Sequence, residues 1–319
     1  MNRFLWCVLL FLLTACQSTN RQLAPISYLV EQNVINHHLQ SLTNEKAAGR
    51  AVQSNGSHYA REYIKQQLAK ADIKPLLPDG YLQPFTYRKG GENIQGTNVL
   101  AFIPGKQSER LIILSAHYDH LGIKGSKTYH GADDNASGVS ALLAVANVLI
   151  QQQPSCSYVL LFSDAEEDNL KGTKAFIEQF PNIINKTMLN INLDMLAGSR
   201  STKRLHFLSY KINKLLTKGS WQQFKENHSR AEIPISRGFK SVGYHSSSAS
   251  NKVQWYLASD HGVFYRKHIP FLYYGVGVHE NYHTAKDSFE RANKQMLWHV
   301  TNTIIHQILF LDQHIVDNS

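Results

Sequence analysis

The octapeptide GADDNASG, Gly131 to Gly138, sets two carboxylates and an amide side by side between small residues. Four further stretches carry related chemistry: SAHYDHLG with His117 and Asp119, FSDAEE ending in Glu166 and Glu167, NLDM with Asp194, and YHTAKDS with His283. Imidazole nitrogens and carboxylate oxygens together are donors that suit zinc without sulfur. Each stretch alone has a plainer reading. Asp, Asn and Ser cap helices and close turns; adjacent glutamates usually mark a solvated surface; a histidine at a strand end can be an ordinary satisfied polar residue. Taken jointly, the acids would repel one another and resist burial unless a cation neutralised them.

The elements that carry these residues explain how they could meet. RLIILSAHYDH and SYVLLFSDAEE are near-continuous apolar runs, the pattern of strands buried on both faces of a parallel sheet. TNVLAFIPG, MLNINLDML, RLHFLSY and IPFLYYGVG also read as strands. Between them, SGVSALLAVANVLIQQQ has helical spacing, with Val139, Leu142, Ala146 and Leu149 as its apolar stripe. Two helices precede the first strand, and a closing helix places Leu297, Val300, Ile304, Ile308 and Leu311 on one side. This alternation predicts an α/β fold with a mixed, mostly parallel central sheet and helices on both faces. Ligands of open α/β sheets bind just outside the carboxyl ends of the strands. His117, the Glu166–Glu167 pair and Asp194 all fall at that edge, and GADDNASG follows the first of these strands.

Composition bounds the rest. Of 319 residues, 43% are hydrophobic and 18% charged, which describes a globular chain. The formal charge of +9 is scattered. No Lys/Arg run is interleaved with aromatics, so no nucleic-acid partner is expected. At the N-terminus, Asn2-Arg3, the apolar run FLWCVLLFLL and then TACQS form a signal-peptide pattern, too short to span a bilayer. Leu13-Thr14-Ala15-Cys16 resembles the bacterial lipoprotein signal. That resemblance implies loss of residues 1–15 and acylation of Cys16. The polar, patternless stretch over 16–27 reads as a tether, and with no linker-like stretch or internal repeat beyond it one domain is expected over 28–319. Gln17, where an Asp would favour inner-membrane retention, points to the outer membrane. The expected location is the periplasmic side of the bacterial cell envelope, with the membrane held through lipid on Cys16. An ordinary secretory signal with a chance cysteine is the alternative. With Cys7 lost and Cys16 acylated, Cys156 stands alone, which excludes an internal disulfide and a cysteine-rich zinc site.

The set SAHYDHLG, GADDNASG, FSDAEE, NLDM, SDHGVFY and YHTAKDS, in this order, resembles the co-catalytic di-zinc exopeptidase family that includes bacterial leucyl aminopeptidases and glutamate carboxypeptidase. The likeness extends over residues 30–315. It implies two Zn2+ ions, His117 and Asp194 on one, Glu167 and His283 on the other, with Asp134 joining them. It also implies a cis peptide between Asp134 and Asn135. Asp119 would accept a hydrogen bond from the second nitrogen of His117. Glu166 would be the general base, and Tyr256 a donor to the developing oxyanion, with simple packing as its alternative. The lead-in to FSDAEED and the residues after NLDM depart from the common pattern, which bears on the pocket rather than the ligands.

The function implied is a zinc-dependent aminopeptidase acting on peptides. A glutaminyl cyclase of the same fold is the nearest rival, although such enzymes usually carry Trp before the last His, where this chain has Tyr282. A carboxypeptidase of the family and a catalytically inactive peptide-binding lipoprotein are further alternatives. His120, His130, His245 and His279 are left structural.

Overall fold

The computed structural model describes residues 27–239 and 253–316; the leader, Cys16, most of the tether and His245 lie outside them. Two helices open the fold, α1 (Gln32–Thr43) and α2 (Asn55–Lys70). The strands β1 (Lys74–Pro75), β2 (Leu82–Lys89), β3 (Glu92–Ile103) and β4 (Gln107–His117) follow. Gly90 and Gly91 form the two-residue turn between β2 and β3. Both have positive φ, +59° and +90°, the conformation such a hairpin demands. A small hairpin, β5 (Gly122–Lys124) and β6 (Lys127–Tyr129), leads to the GADDNASG segment and α3 (Gly138–Gln152). Next come β7 (Cys156–Ser163), α4 (Lys171–Gln179), α5 (Pro181–Lys186), β8 (Thr187–Leu193), β9 (Leu205–Tyr210), α6 (Lys218–Ser229) and β10 (Ile235–Arg237). After the undescribed segment stand α7 (His261–Arg266), β11 (Phe271–Gly275) and α8 (Lys294–His314).

One sheet has the order β1-β3-β7-β4-β8-β11-β9-β10, with β2 paired to β3. Its centre, β7-β4-β8-β11, is parallel. Antiparallel pairings frame that centre, through β3 on one flank and β9 on the other. The apolar runs do what their composition requires. Along β7, Tyr158, Leu160 and Phe162 face a core shared with α1, α2, α3 and α8, while Val159 and Leu161 face a second core under α4, α5 and α7. Burial on both faces is why β7 lacks hydrophobic–polar alternation. The α3 stripe is broader than its spacing predicts: nearly every residue from Gly138 to Leu149 is buried, because α1 and α8 cover the side away from the sheet.

The chain leading into α1 is fixed to α8. Asn302 accepts the backbone N–H groups of Leu29 and Val30 at 2.7 and 3.0 Å, and the Trp298 indole donates to the Val30 carbonyl at 2.8 Å. Among the described residues, no helix is long and apolar enough to cross a membrane.

Candidate metal centre

Sheet register aligns the donors. His117 is opposite Ser163 on β7, and Ser115 is opposite Asn192 on β8, so Glu166, Glu167 and Asp194 leave the sheet beside His117. His117 Nε2 lies 3.3 Å from Asp134 Oδ1 and 3.4 Å from Asp194 Oδ1. His283 Nε2 lies 3.1 Å from Asp134 Oδ2 and 3.3 Å from Glu167 Oε2. Asp134 thus offers one oxygen to each histidine. Donor atoms of His117, Glu166 and Asp194 lie within 4.8 Å of one another, as do those of His120, Asp134 and Glu167.

The two aspartates of GADDNASG part company here. Asp133 turns away: Oδ1 accepts the Ala197 N–H at 2.7 Å, and Oδ2 pairs with His279 Nε2 at 2.9 Å. Asp134 faces the cluster. Asp287, from the end of YHTAKDS, accepts the backbone N–H groups of both aspartates at 2.8 and 3.0 Å. Asn135 ties the loop to β8, donating to the Leu193 carbonyl and accepting from the Met195 and Gly138 amides. The Asp134–Asn135 peptide is cis. Gly131, at φ +57°, admits no side chain; a Cβ there would stand 2.2 Å from the Asp134 carbonyl and 2.5 Å from the His120 ring.

Arg50, for which the sequence offered no signal, sits fully buried behind both loops. Its guanidinium donates to the carbonyls of Leu42, Tyr118, His130 and Gly131 at 2.6–2.8 Å. Tyr118 follows His117, and Gly131 opens the loop of Asp134, so one cation holds both ligand-bearing segments. Burial lowers its pKa to about 10 despite the attraction of Asp287 and Asp134.

Carboxylates and imidazoles shift one another's titration within the cluster. Burial opposes a charged His283, yet its contacts with Asp134 and Glu167 raise its pKa to about 10. Burial and Asp134 push the Glu167 carboxyl up, but His120 and His283 win and bring it to about 2. Burial lifts Glu166 well above the ordinary carboxylate range, with Asp194 and Glu167 adding to the rise against the pull of His117.

One sequence expectation, for Asp119, is refined and one, for Tyr256, is corrected. The His117 Nδ1 partner is the main-chain carbonyl of Asp119 at 3.2 Å; the Asp119 carboxylate stands 3.6 Å away. That carboxylate instead accepts the N–H groups of Glu166 and Glu167 at 3.0 and 3.3 Å, because it reaches across to the turn leaving β7. It therefore positions the glutamate pair. Tyr256 is not brought to the cluster. It is exposed, its ring packed against Tyr265 and Phe271, while its neighbours Trp255 and Leu257 line the cavity. These three residues form one short helical turn, in which successive side chains point in different directions.

A cavity of about 270 Å³ opens over His117, Asp134, Glu166, Asp194 and His283. Its other walls include Met195, Val253, Trp255, Leu257, Tyr273, Val278 and Tyr282. Polar donors thus form the floor, and apolar and aromatic groups much of the wall.

The vacuolar membrane protease of Saccharomyces cerevisiae is 24% identical over 233 residues, 70% of this chain. The chain spans about a fifth of the length of that relative. Among solved structures, a zinc aminopeptidase from Bacillus subtilis aligns with a TM-score of 0.65 at 14% identity, covering 88% of this chain and 95% of its own. A glutaminyl cyclase from Macrostomum lignano aligns with a TM-score of 0.70 at 14% identity, covering 89% and 90%. At such identities the two structures establish the shared fold. The model of peptidase family M28 matches residues 98–308, a segment that includes every strand end contributing to the centre. With more than half of its length in that match, the chain belongs to peptidase family M28.

Proposed function

We propose that this chain is a zinc-dependent aminopeptidase that removes N-terminal residues from peptides using two metal ions. The observation that carries the reading is the double cluster sharing Asp134 on the floor of one cavity, with Glu166 beside it. The donors fit a cation on their own chemistry. Asp194 Oδ1, Glu167 Oε1 and both ring nitrogens of His120 are buried with no hydrogen-bond partner. Such orphaned atoms are costly, about 1–3 kcal/mol each, unless something binds them. His117, Asp194 and Asp134 would hold one ion; Asp134, Glu167 and His283 would hold the other. Bound there, divalent ions would acidify water and polarise the scissile carbonyl.

The chain's own residues supply the rest. Glu166 is the general base: its carboxyl takes a proton from the attacking water and passes it to the leaving amine. The Asp119 carboxylate, gripping the Glu166 and Glu167 amides, keeps the base and its metal-binding neighbour in fixed relation. The apolar walls at Met195, Trp255, Leu257 and Val278 favour an apolar first residue in the substrate. Lipid on Cys16 would hold the domain at the periplasmic face of the outer membrane.

The test compares a leucyl chromogenic amide with its N-acetylated form. Hydrolysis of the free-amine substrate alone is expected; trimming from the carboxyl end would contradict it. Glu166→Gln should keep its zinc and lose at least about a hundredfold in kcat, the scale of general-base contributions. The Macrostomum lignano likeness makes glutaminyl cyclase the second reading. Pyroglutamate formation without leucine release would establish it.

A further inference from the structure

The His120 ring, one residue after Asp119, is assigned to neither ion above. Its side chain is completely buried, and Nδ1 lies 2.8 Å from Glu167 Oε1 and 3.7 Å from Asp134 Oδ2. The contact with Glu167 is at ion-pair distance but forms no hydrogen bond, and Nε2 has no hydrogen-bond partner either. Buried histidines elsewhere do better. His228 Nε2 meets the Tyr274 hydroxyl, and His261 Nε2 meets the Trp255 carbonyl, leaving one unpartnered nitrogen each. Among the described residues, His120 alone buries both ring nitrogens without a hydrogen bond. Two acceptor atoms as close as Nδ1 and Glu167 Oε1 repel unless a proton or a cation stands between them.

The setting fixes the ring there. It rests on the bare backbone of Gly131, where any Cβ would collide with it, and it meets the His283 ring edge-on at 5.8 Å between centroids. The His120 amide donates to the Arg50 carbonyl, which joins it to the same buried clamp that holds the ligand loops. His120 and His283 therefore approach Glu167 with one ring nitrogen each, Nδ1 at Oε1 and Nε2 at Oε2.

We propose that His120 is an additional metal-ligating side chain, which closes a four-donor set with Asp134, Glu167 and His283. The proposal rests on the two-ion reading and goes beyond it by making the two positions unequal. Two nitrogens and two carboxylates make a complete four-coordinate set, the form of a structural zinc site. His117, Asp194 and Asp134 supply only three donors, the form that keeps a position open for substrate or water. The His120 side would then hold its ion more tightly, and the His117 side would exchange its ion more readily. Glu166 groups with His117 and Asp194, whereas the fully buried His120 side chain groups with Asp134 and Glu167; Asp134 and His283 reach the same cavity as His117.

The experiment is a zinc titration against a competing chelator, made on the metal-free full domain and on His120→Ala and His120→Asn. Wild type should bind two ions per chain, one more tightly than the other. Each variant should keep one ion and bind the second at least about a hundredfold more weakly, beyond the usual effect of losing an outer hydrogen bond. Fewer than two ions on wild type would defeat the two-ion reading, and this proposal with it. Two ions on wild type and unchanged binding in both variants would overturn the proposal alone. Because a substitution in a sealed position can disturb folding, wild-type protein labelled with 15N-histidine gives the second measurement. The His120 Nδ1 resonance should move to a metal-bound position on zinc addition. A Nδ1 that stays protonated and bonded to Glu167 would overturn the assignment.

Discussion

The two ends of the central strands bury carboxylates in opposite ways. At the amino end of β7, Asp312 is buried and fully employed. Its oxygens accept the Ser155 and Cys156 amides at 2.8 Å each and the Tyr158 hydroxyl at 3.1 Å. At the carboxyl end, Asp194, Glu167 and His120 retain buried atoms with no partner inside the chain. A buried acid satisfied by local donors is an architectural tie. Several carboxylate and imidazole atoms left unsatisfied together beneath one cavity mark a place that a bound cation would complete. The contrast separates structure from function without reference to residue type, since both ends use aspartate.

The strongest way to break the comparison is to disturb the shared donor. Asp134→Asn removes the negative charge offered to both histidines. Hydrolysis should fall by at least about a thousandfold, more than loss of the base alone, together with loss of bound zinc by elemental assay. Chelation of the wild-type enzyme should reproduce that loss reversibly, with activity returning on added zinc. Retained turnover after complete metal removal would show that the unsatisfied end does not work through a cation.

The opposite outcome is expected at the satisfied end. Asp312→Ala leaves two backbone N–H groups and a hydroxyl without their acceptor in a buried site. Urea denaturation should show a loss of about 3 kcal/mol, since each unsatisfied group is worth roughly 1–3 kcal/mol before water partly compensates. Activity per folded molecule, and zinc content, should stay within about twofold of wild type, as expected of a residue whose loss acts through stability. A large fall in kcat with stability intact would erase the distinction between the two ends.

What the sequence disclosed follows the same division. The parallel strands were legible because burial on both faces enforces unbroken apolar runs, and a run that stops abruptly at His117 or Asp194 announces the edge. Strand register then carries those side chains to one place whatever the loops do. Arg50, Asp287 and His120 were not legible. Arg50 binds only backbone carbonyls, which leave no trace in residue types, and Asp287 binds only backbone amides. His120 lies beside two stronger candidates, and its distinction is the absence of a partner, which appears only in three dimensions. Asp119 was placed beside His117 but with only part of its bonding, because spacing along a strand does not say whether the carbonyl or the carboxylate of a residue comes closer to the neighbouring ring.

Tyr256 gives the finest test of the same boundary. Its position before SDHGVFY suggested a donor to the developing oxyanion, and a donor of that kind is worth roughly 100- to 1,000-fold in kcat. Yet its ring packs against Tyr265 and Phe271, at 5.3 and 5.7 Å between centroids, and it is exposed without lining the cavity. Removing the hydroxyl touches neither the metal donors nor the apolar walls. Tyr256→Phe should therefore change kcat and KM for a leucyl amide by less than about threefold, well under the effect of losing an oxyanion donor. A hundredfold fall in kcat with KM unchanged would mean that substrate draws the 255–257 turn over the cavity. In that event the wall would belong with the unsatisfied end, as a surface completed only when a ligand arrives.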